Sequence, residues 1–124
     1  MKLITAIIRE TQLNQVHEEL IHAEIERITV SRVSGHGRQK REEIYRGQIV
    51  VPSLIPKIKI EIAVNDEFEQ ITIDAIIRGA KTEGDNIGDG KIFVTTLEKC
   101  ISIWTDLPPA DNSLMIYLNS GGAY

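Results

Sequence analysis

The stretch Lys57-Ile58-Lys59-Ile60-Glu61-Ile62 alternates charged residues with isoleucine, and Ala63-Val64 extend it. Successive side chains of a β-strand point to opposite faces of a sheet, so this alternation predicts a strand over 57–64 with one wet face. A helix is predicted over 67–80, because apolar residues recur there at helical spacing, and these residues are expected to face inward: Phe68, Ile71, Ala75 and Ile76. A further strand is predicted over 91–96.

The N-terminal part of the chain repeats this order. A buried strand is predicted over 3–8, where an apolar run is bounded by charged residues. Thr11 is expected to cap a helix that ends near Ala23, and the apolar positions of this helix again have helical spacing: Leu13, Val16, Leu20 and Ala23. A strand over 28–33 completes the unit.

Two β-α-β units joined by a long connection are typical of the split βαβ, or ferredoxin-like, α+β fold. This fold has a four-stranded antiparallel sheet with both helices on one face. The strand residues Ile7, Ile60, Ile62 and Phe93 cannot all face the helices, so the other face is expected to be too apolar for water. An apolar uncovered face favours an oligomer.

The length of 124 residues fits one domain, and 42% hydrophobic with 26% charged residues is ordinary for a globular protein. We predict a domain over 1–107 and a tail over 108–124. The apolar stretch 114–118 of this tail is expected to dock on a neighbour. Within the domain, the connection from Gly35 to about Pro56 is unusually long, and such connections are usually functional or mobile.

The net charge of −4 argues against a nucleic-acid partner, because nucleic-acid binders normally carry a basic surplus. The single cysteine, Cys100, excludes an internal disulfide. The apolar runs are too short to span a bilayer, and the N-terminal run is shorter than the core of a signal peptide. We therefore expect a cytoplasmic protein that is not embedded in a membrane.

Two glycine-rich segments with cations stand far apart in the chain: Gly35-His36-Gly37-Arg38-Gln39-Lys40 and Ile87-Gly88-Asp89-Gly90-Lys91-Ile92-Phe93. Glycine permits positive φ and close approach of the backbone to a ligand. Successive N–H groups beside a lysine make a cradle for an anion such as phosphate. The pair predicts a nucleotide-binding domain, whereas Gly88-Asp89-Gly90 alone could be a simple hairpin turn.

Together with Tyr45-Arg46-Gly47 and Pro56-Lys57-Ile58-Lys59-Ile60-Glu61, these segments resemble the PII nitrogen-regulatory signal-transduction family over roughly residues 1–105. The resemblance implies a homotrimer of ferredoxin-like domains that binds ATP or ADP in clefts between subunits. In many members of the family 2-oxoglutarate binds as well. A long mobile loop, the T-loop, corresponds to about 36–55 and docks on target proteins.

The resemblance assigns the nucleotide phosphates to a loop over about 81–91. The residues that it implies around the phosphates are Ile87, Gly88, Asp89, Gly90 and Lys91, with Lys91 supplying the charge. It implies a second set at the base of the T-loop: Gly35, Gly37, Arg38 and Gln39. Gln39 would help to hold Mg²⁺ and 2-oxoglutarate, with a plain loop role as the alternative.

Further roles follow from the same resemblance. Lys57 would reach a carboxylate of 2-oxoglutarate, and Thr29 would contact the adenine. Glu61 would pair with Arg38 or Lys91 near the nucleotide. A divalent ion that bridges phosphate oxygens and a 2-oxo acid needs hard oxygen ligands and few protein ligands, which agrees with this assignment.

The T-loop would carry the contact with a protein target, either an ammonium or other transporter or a metabolic enzyme. The residues implied at this contact are Tyr45, Arg46, Gly47, Ile49 and Val50. The alternative for the apolar run over 49–51 is that it packs on the protein itself.

The chain also departs from the family pattern. Val50 stands where the family has its modified tyrosine, and Gln48 stands where some relatives have a phosphorylated serine, so neither modification is expected. The family's Ile-Arg-Ile-Arg segment reads Ile101-Ser102-Ile103-Trp104, which removes cations that would clamp phosphates. The loop over 82–86 is longer and more acidic than the corresponding loop of the family. These departures make a preference for ADP or AMP plausible.

Three competing interpretations follow. The chain could be a divergent PII-like sensor of ADP or AMP with bicarbonate, linked to inorganic carbon metabolism. It could be a structural trimer like the CutA group, which shares the fold. A slow ATP hydrolase using Glu61, Asp89 and Lys91 is the enzymatic alternative. The missing arginines argue against this hydrolase, so we predict a regulatory protein and not an enzyme.

Overall fold

The computed structural model describes residues 1–36, 43–45, 48–50, 54–84 and 88–104, with the backbone alone for 43–45 and 48–50. Its strands, in chain order, are β1 (Lys2–Arg9), β2 (Thr29–Gly35), β3 (Glu43–Tyr45), β4 (Gln48–Val50), β5 (Ile55–Val64) and β6 (Gly90–Thr96). Its helices are α1 (Leu13–His22) and α2 (Glu69–Ala80), and each follows directly on a 3₁₀ turn, Glu10–Gln12 or Asp66–Phe68.

Four strands form one antiparallel sheet in the order β2-β5-β1-β6. The predicted α+β fold, with a four-stranded antiparallel sheet and two helices, is therefore confirmed. The strands β3 and β4 form a separate two-stranded sheet inside the long connection, with Tyr45 opposite Gln48. This small sheet was not predicted, because strands of three residues are too short to show an alternating pattern.

The core lies between the large sheet and the two helices. Alternate residues of the two central strands are fully buried on one face: Ile4, Ala6, Ile8, Ile58, Ile60, Ile62 and Val64. Both helices cover this face with their own buried residues, which include Val16 and Leu20 of α1 and Ala75 and Ile76 of α2. The prediction that Ile71 faces inward is wrong, since this side chain is 46% exposed.

The four apolar strand residues that could not all face the helices are divided between the two faces. Ile60 and Ile62 are in the core, whereas Ile7 alternates with buried Ile8 and lies on the uncovered face. Phe93 lies on the same uncovered face opposite Thr5, and 51% of its surface is exposed. The uncovered face is therefore partly apolar and partly charged.

The start of the first helix differs from the prediction. Thr11 lies inside the 3₁₀ turn, and its hydroxyl contacts the side chain of Gln12 rather than a backbone N–H of the helix. The helix begins at Leu13 and has no side-chain cap. The prediction of a Thr11 cap is wrong, because the chain leaves β1 directly into this turn.

The two helices pack closely at Gly79. A Cβ atom at this position would lie 2.5 Å from the Cα atom of Val16, so only glycine allows this approach of α2 to α1. The side-chain amide of Gln12 donates a hydrogen bond of 3.0 Å to the carbonyl oxygen of Gly79. This packing fixes the end of α2, from which Lys81 and Thr82 lead into the loop before β6.

Candidate functional site

Charged residues from three strands meet at one end of the sheet. Arg9 ends β1 and is paired in register with Lys57 near the start of β5. Lys91, near the start of β6, is opposite Ile7. Gly35 ends β2 at the same end of the sheet, and a Cβ atom on Gly35 would lie 3.6 Å from Cγ of Lys57. The antiparallel order thus assembles residues that are far apart in the sequence.

Described residues donate three hydrogen bonds to the carboxylate of Asp89. Its Oδ1 atom accepts from Arg9 Nε at 3.1 Å and from the Thr82 hydroxyl at 2.6 Å. Its Oδ2 atom accepts from the backbone N–H of Thr82 at 2.8 Å. Asp89 is only 9% exposed, so this carboxylate fastens the loop after α2 to the end of β1.

The pKa of Asp89 lies below its ordinary value. Removal from water opposes ionisation of the carboxyl, but the hydrogen bonds from Thr82 and the charge of Arg9 outweigh this effect. Asp89 is therefore ionised at neutral pH, and its charge is directed to Arg9 and Thr82. The resemblance placed Asp89 among residues around phosphate, and in the structure its carboxylate is engaged by Arg9 and Thr82.

The pKa of Lys57 is also lowered. Burial of the ammonium group contributes most, the nearby Arg9 adds repulsion, and Asp89 offsets part of both effects. Arg9, Lys57 and Lys91 bring three cationic side chains to this end of the sheet, and Asp89 brings one carboxylate. The described part of the site is therefore short of negative charge, which an anionic ligand would supply.

Gly90 is required by the entry of the chain into β6. Its φ of +126° is unfavourable for other residues, and a Cβ atom would lie 2.0 Å from the carbonyl oxygen of Ile7. The hairpin alternative for Gly88-Asp89-Gly90 is contradicted, because β6 pairs with β1 and not with a strand directly before it. The segment instead connects α2 to an edge strand.

Glu61 can be compared with only one of the two partners that the resemblance gave it, because Arg38 lies outside the described residues. Its carboxylate pairs with Lys59, with 3.5 Å between Oε1 and Nζ. The strand β1 separates β5 from β6, so within the protomer Lys91 is not the partner of Glu61. Thr29 is opposite Glu61 in the register of β2 and β5. Both residues are about 13 Å along the strand from Lys57, so one protomer does not bring them to the phosphate loop.

Several predicted site residues lie outside the described residues. These are Gly37, Arg38, Gln39, Arg46, Gly47 and Ile87, and with them the Mg²⁺ role of Gln39. Tyr45, Ile49 and Val50 are described by their backbone only, in the β3–β4 pair. Among the residues whose side chains are described, no group of three or more histidine, cysteine or acidic residues could hold a metal.

Sequence reasoning missed Arg9 and Thr82. Arg9 was interpreted only as the charge that bounds the first strand, and Thr82 only as part of the lengthened loop. Their contacts with Asp89 depend on the register between β1 and β6, which no local pattern reveals.

The described chain contains no helix long and apolar enough to cross a membrane.

Comparisons with known proteins agree with the resemblance. Residues 1–106 match the family model described as "Nitrogen regulatory protein P-II". The chain is 51% identical over 107 residues to nitrogen regulatory protein GlnK1 of Methanosarcina mazei, covering 86% of this chain and 92% of the relative. It is 46% identical over 106 residues to nitrogen regulatory protein P-II of Rhodobacter capsulatus, covering 85% and 93%. The relatives are regulatory proteins and not enzymes, as predicted.

Proposed function

The chain belongs to the nitrogen regulatory protein P-II family, and from this premise we propose that it binds an adenine nucleotide, ATP or ADP, at the charged end of its sheet. The observation that carries the proposal is the excess of positive charge there. Arg9, Lys57 and Lys91 converge on an end of the sheet where Asp89 is already engaged by Arg9 and Thr82.

The loop into β6 would bind the phosphates. Lys91 is exposed and can supply a cation, while the glycines on both sides of Asp89 leave the backbone accessible to an anion. Mg²⁺ would bridge phosphate oxygens with help from Gln39. A small anion, 2-oxoglutarate or bicarbonate, would bind beside Lys57, because a carboxylate would relieve the repulsion between Lys57 and Arg9.

Three copies of the chain would form the complete sites. The uncovered sheet face carries Ile7 and the half-exposed Phe93 among charged residues, and burial of this face would stabilise a trimer. In such a trimer Thr29 and Glu61 would reach a nucleotide held by the loop of a neighbouring copy. The cleft between subunits would then contain the adenine and the phosphates together.

The T-loop would transmit the state of the site in the cytoplasm. Residues 36–55 begin beside Gly35, which lies against Lys57, and they contain the β3–β4 pair. A nucleotide or effector can shift the loop between conformations only through its different affinity for them. The loop would bind a transporter, such as an ammonium transporter, or a metabolic enzyme through residues 45–50.

A second candidate is a sensor of ADP or AMP with bicarbonate. Ser102 and Trp104 stand where the family has arginines, and Trp104 is 70% exposed. Hydrogen bonds to charged groups are typically worth about 1.5–3 kcal/mol each, so the loss of two guanidinium contacts would weaken triphosphate binding most.

Thermal unfolding with ATP, ADP or AMP, each with Mg²⁺, tests the proposal. A ligand that binds only the folded protein raises the unfolding temperature. We expect a rise with ATP or ADP, enlarged by 2-oxoglutarate for the first candidate. A rise with ADP or AMP, enlarged by bicarbonate, would favour the second. No rise with any nucleotide would contradict the proposal and favour a structural trimer. In a separate assay, steady release of phosphate from ATP would indicate an enzyme.

A further inference from the structure

An apolar groove runs between α2 and β6 on the helix-covered side of the sheet. It has a volume of about 530 Å³, and its walls include Ile73 and Ile77 of α2 and Ile92 and Val94 of β6. Ile77 is 39% exposed and Val94 is 41% exposed, although both belong to the faces that pack together elsewhere in the domain. At the groove, apolar side chains of α2 and β6 are therefore left partly uncovered.

The groove is bordered by an open strand edge. β6 is the last strand of the sheet and pairs only with β1 among the strands that the structure describes. The edge of such a strand presents unpaired N–H and C=O groups, which are a template for a further strand. A segment that binds here could gain backbone hydrogen bonds and bury apolar side chains at the same time.

The tail of the chain contains a segment with the required chemistry. Leu114-Met115-Ile116-Tyr117-Leu118 is an apolar run that contains two strong β formers, Ile116 and Tyr117, and in a strand its first, third and fifth side chains share one face. The only charged side chains over 105–124 are Asp106 and Asp111. Lys81, Asp89 and Lys91 line one end of the groove and leave it with a net positive charge, which favours binding of the acidic tail.

The length of the tail is sufficient. Ten residues lead from Trp104, the last described residue, to Leu114, and in extended form they span up to about 33 Å. The seven residues of β6 extend over about 23 Å, which is shorter than this span. The family match ends at residue 106, so this tail lies outside the matched region.

We propose that residues 114–118 bind as an added strand along β6 of their own chain, with Leu114, Ile116 and Leu118 filling the groove. The groove shares Asp89, Gly90 and Lys91 with the loop described above, so the bound tail would lie against that loop. The inference goes beyond the proposed function and does not depend on nucleotide binding. It concerns an interaction that the chain makes with itself.

Disulfide trapping tests which chain supplies the tail. With Cys100→Ser as the background, Val94→Cys is combined in turn with Leu114→Cys, Ile116→Cys and Leu118→Cys. We expect at least one of these pairs to close a disulfide within a single chain at least ten-fold faster than Glu18→Cys, on the exposed side of α1, combined with Ile116→Cys. Equal rates for both sites, or disulfides that join two chains, would overturn the proposal.

Hydrogen exchange gives an independent test in chains without introduced cysteines. Ile116→Asp lies outside the folded core, so it should release the tail without unfolding the domain. We expect the β6 amides that point away from β1 to exchange at least ten-fold faster in Ile116→Asp than in the wild-type chain, whereas Asn119→Asp should leave them unchanged. Identical exchange in all three proteins would show that the segment does not pair with β6.

Discussion

At the scale of single residues, Asp89 connects separate parts of the candidate site. Its carboxylate joins Thr82, at the start of the loop, to Arg9, at the end of a central strand. Because Asp89 pairs with Arg9, its carboxylate offsets one of the three cations, and a surplus of positive charge remains for an anion. The end of the loop is thereby held beside the cations at this end of the sheet.

Replacement of this carboxylate should therefore lower stability in a pH-dependent way. Asp89→Asn should reduce the free energy of unfolding at pH 7 by about 1–3 kcal/mol, since hydrogen bonds to a charged group are lost. The pKa of Asp89 is lowered on folding, so its contribution is present above the unfolded pKa, near 3.9, and is lost as the pH falls through the lower folded value. Urea unfolding at several pH values measures this.

The difference between wild type and Asp89→Asn should thus shrink in acid. Asp74→Asn, on the exposed side of α2, removes a carboxylate of the same kind outside the site and should change stability little at any pH. A difference for Asp89→Asn that stays constant from pH 7 into strong acid would contradict the assigned role of its charge.

Two glycines with positive φ provide a matched comparison. Gly90→Ala would place a methyl group 2.0 Å from the carbonyl oxygen of Ile7, whereas Gly84→Ala would meet nothing within 4 Å. Both changes carry a backbone strain of roughly 1–3 kcal/mol, and only Gly90→Ala adds a backbone clash. Thermal unfolding should show a clearly larger loss for Gly90→Ala. Equal losses would mean that the close approach of β6 to β1 is not as described.

At the scale of elements, the long periodic segments were predictable and the short ones were not. Every strand of the large sheet was predicted to within two residues at each end, because alternation and apolar runs mark long strands. The β3–β4 pair was missed, since its strands have three residues each. The Thr11 cap was wrong because the nearby 3₁₀ turn depends on how β1 meets α1.

In the candidate site, too, some features could be predicted from the sequence and others could not. The Gly-Asp-Gly-Lys segment was identified from the sequence, because its residue types are typical of a turn that carries a cation. The partnership of Arg9 with Asp89 was not found, because the two residues are separated by 80 positions and meet only through strand register. Within the protomer Glu61 pairs with Lys59, and its contact with Arg38 stays a prediction, because Arg38 lies outside the described residues.

The contact between helices supplies a prediction that opposes helix propensity. Alanine favours a helix over glycine by about 1 kcal/mol, so Gly79→Ala at an uncrowded position would stabilise the protein. Here the new Cβ atom would lie 2.5 Å from the backbone of Val16, and overpacking of this kind typically costs about 1–3 kcal/mol. We expect a lower unfolding temperature, and a higher one would contradict the close packing.

At the scale of the whole molecule, two features of the sheet point to assembly. Its helix-covered face is a continuous apolar core, while its uncovered face mixes charges with Ile7 and Phe93. The residues expected to contact adenine and phosphate are separated along that face within one protomer. A trimer would bury the face and would bring those residues together across subunits.

Substitution of the uncovered face should therefore change the assembly. Phe93→Glu introduces charge on this face and should shift the mass of the particle from three chains towards one. Ile71→Glu makes the same kind of change at a residue of α2 that is 46% exposed and should leave the mass unchanged. Analytical ultracentrifugation compares them. A wild-type protein that sediments as a single chain would contradict the trimer.

The central claim is that the cationic end of the sheet binds a nucleotide, and calorimetry on a pair of lysine variants tests it most directly. Lys91→Gln removes a cation from the site, whereas Lys2→Gln removes one at the opposite end of the sheet, where Lys2 pairs in register with Thr96. We predict that Lys91→Gln weakens binding of ATP or ADP at least ten-fold, while Lys2→Gln binds like the wild type. Equal affinities for both variants, or no binding by the wild-type protein, would contradict the account.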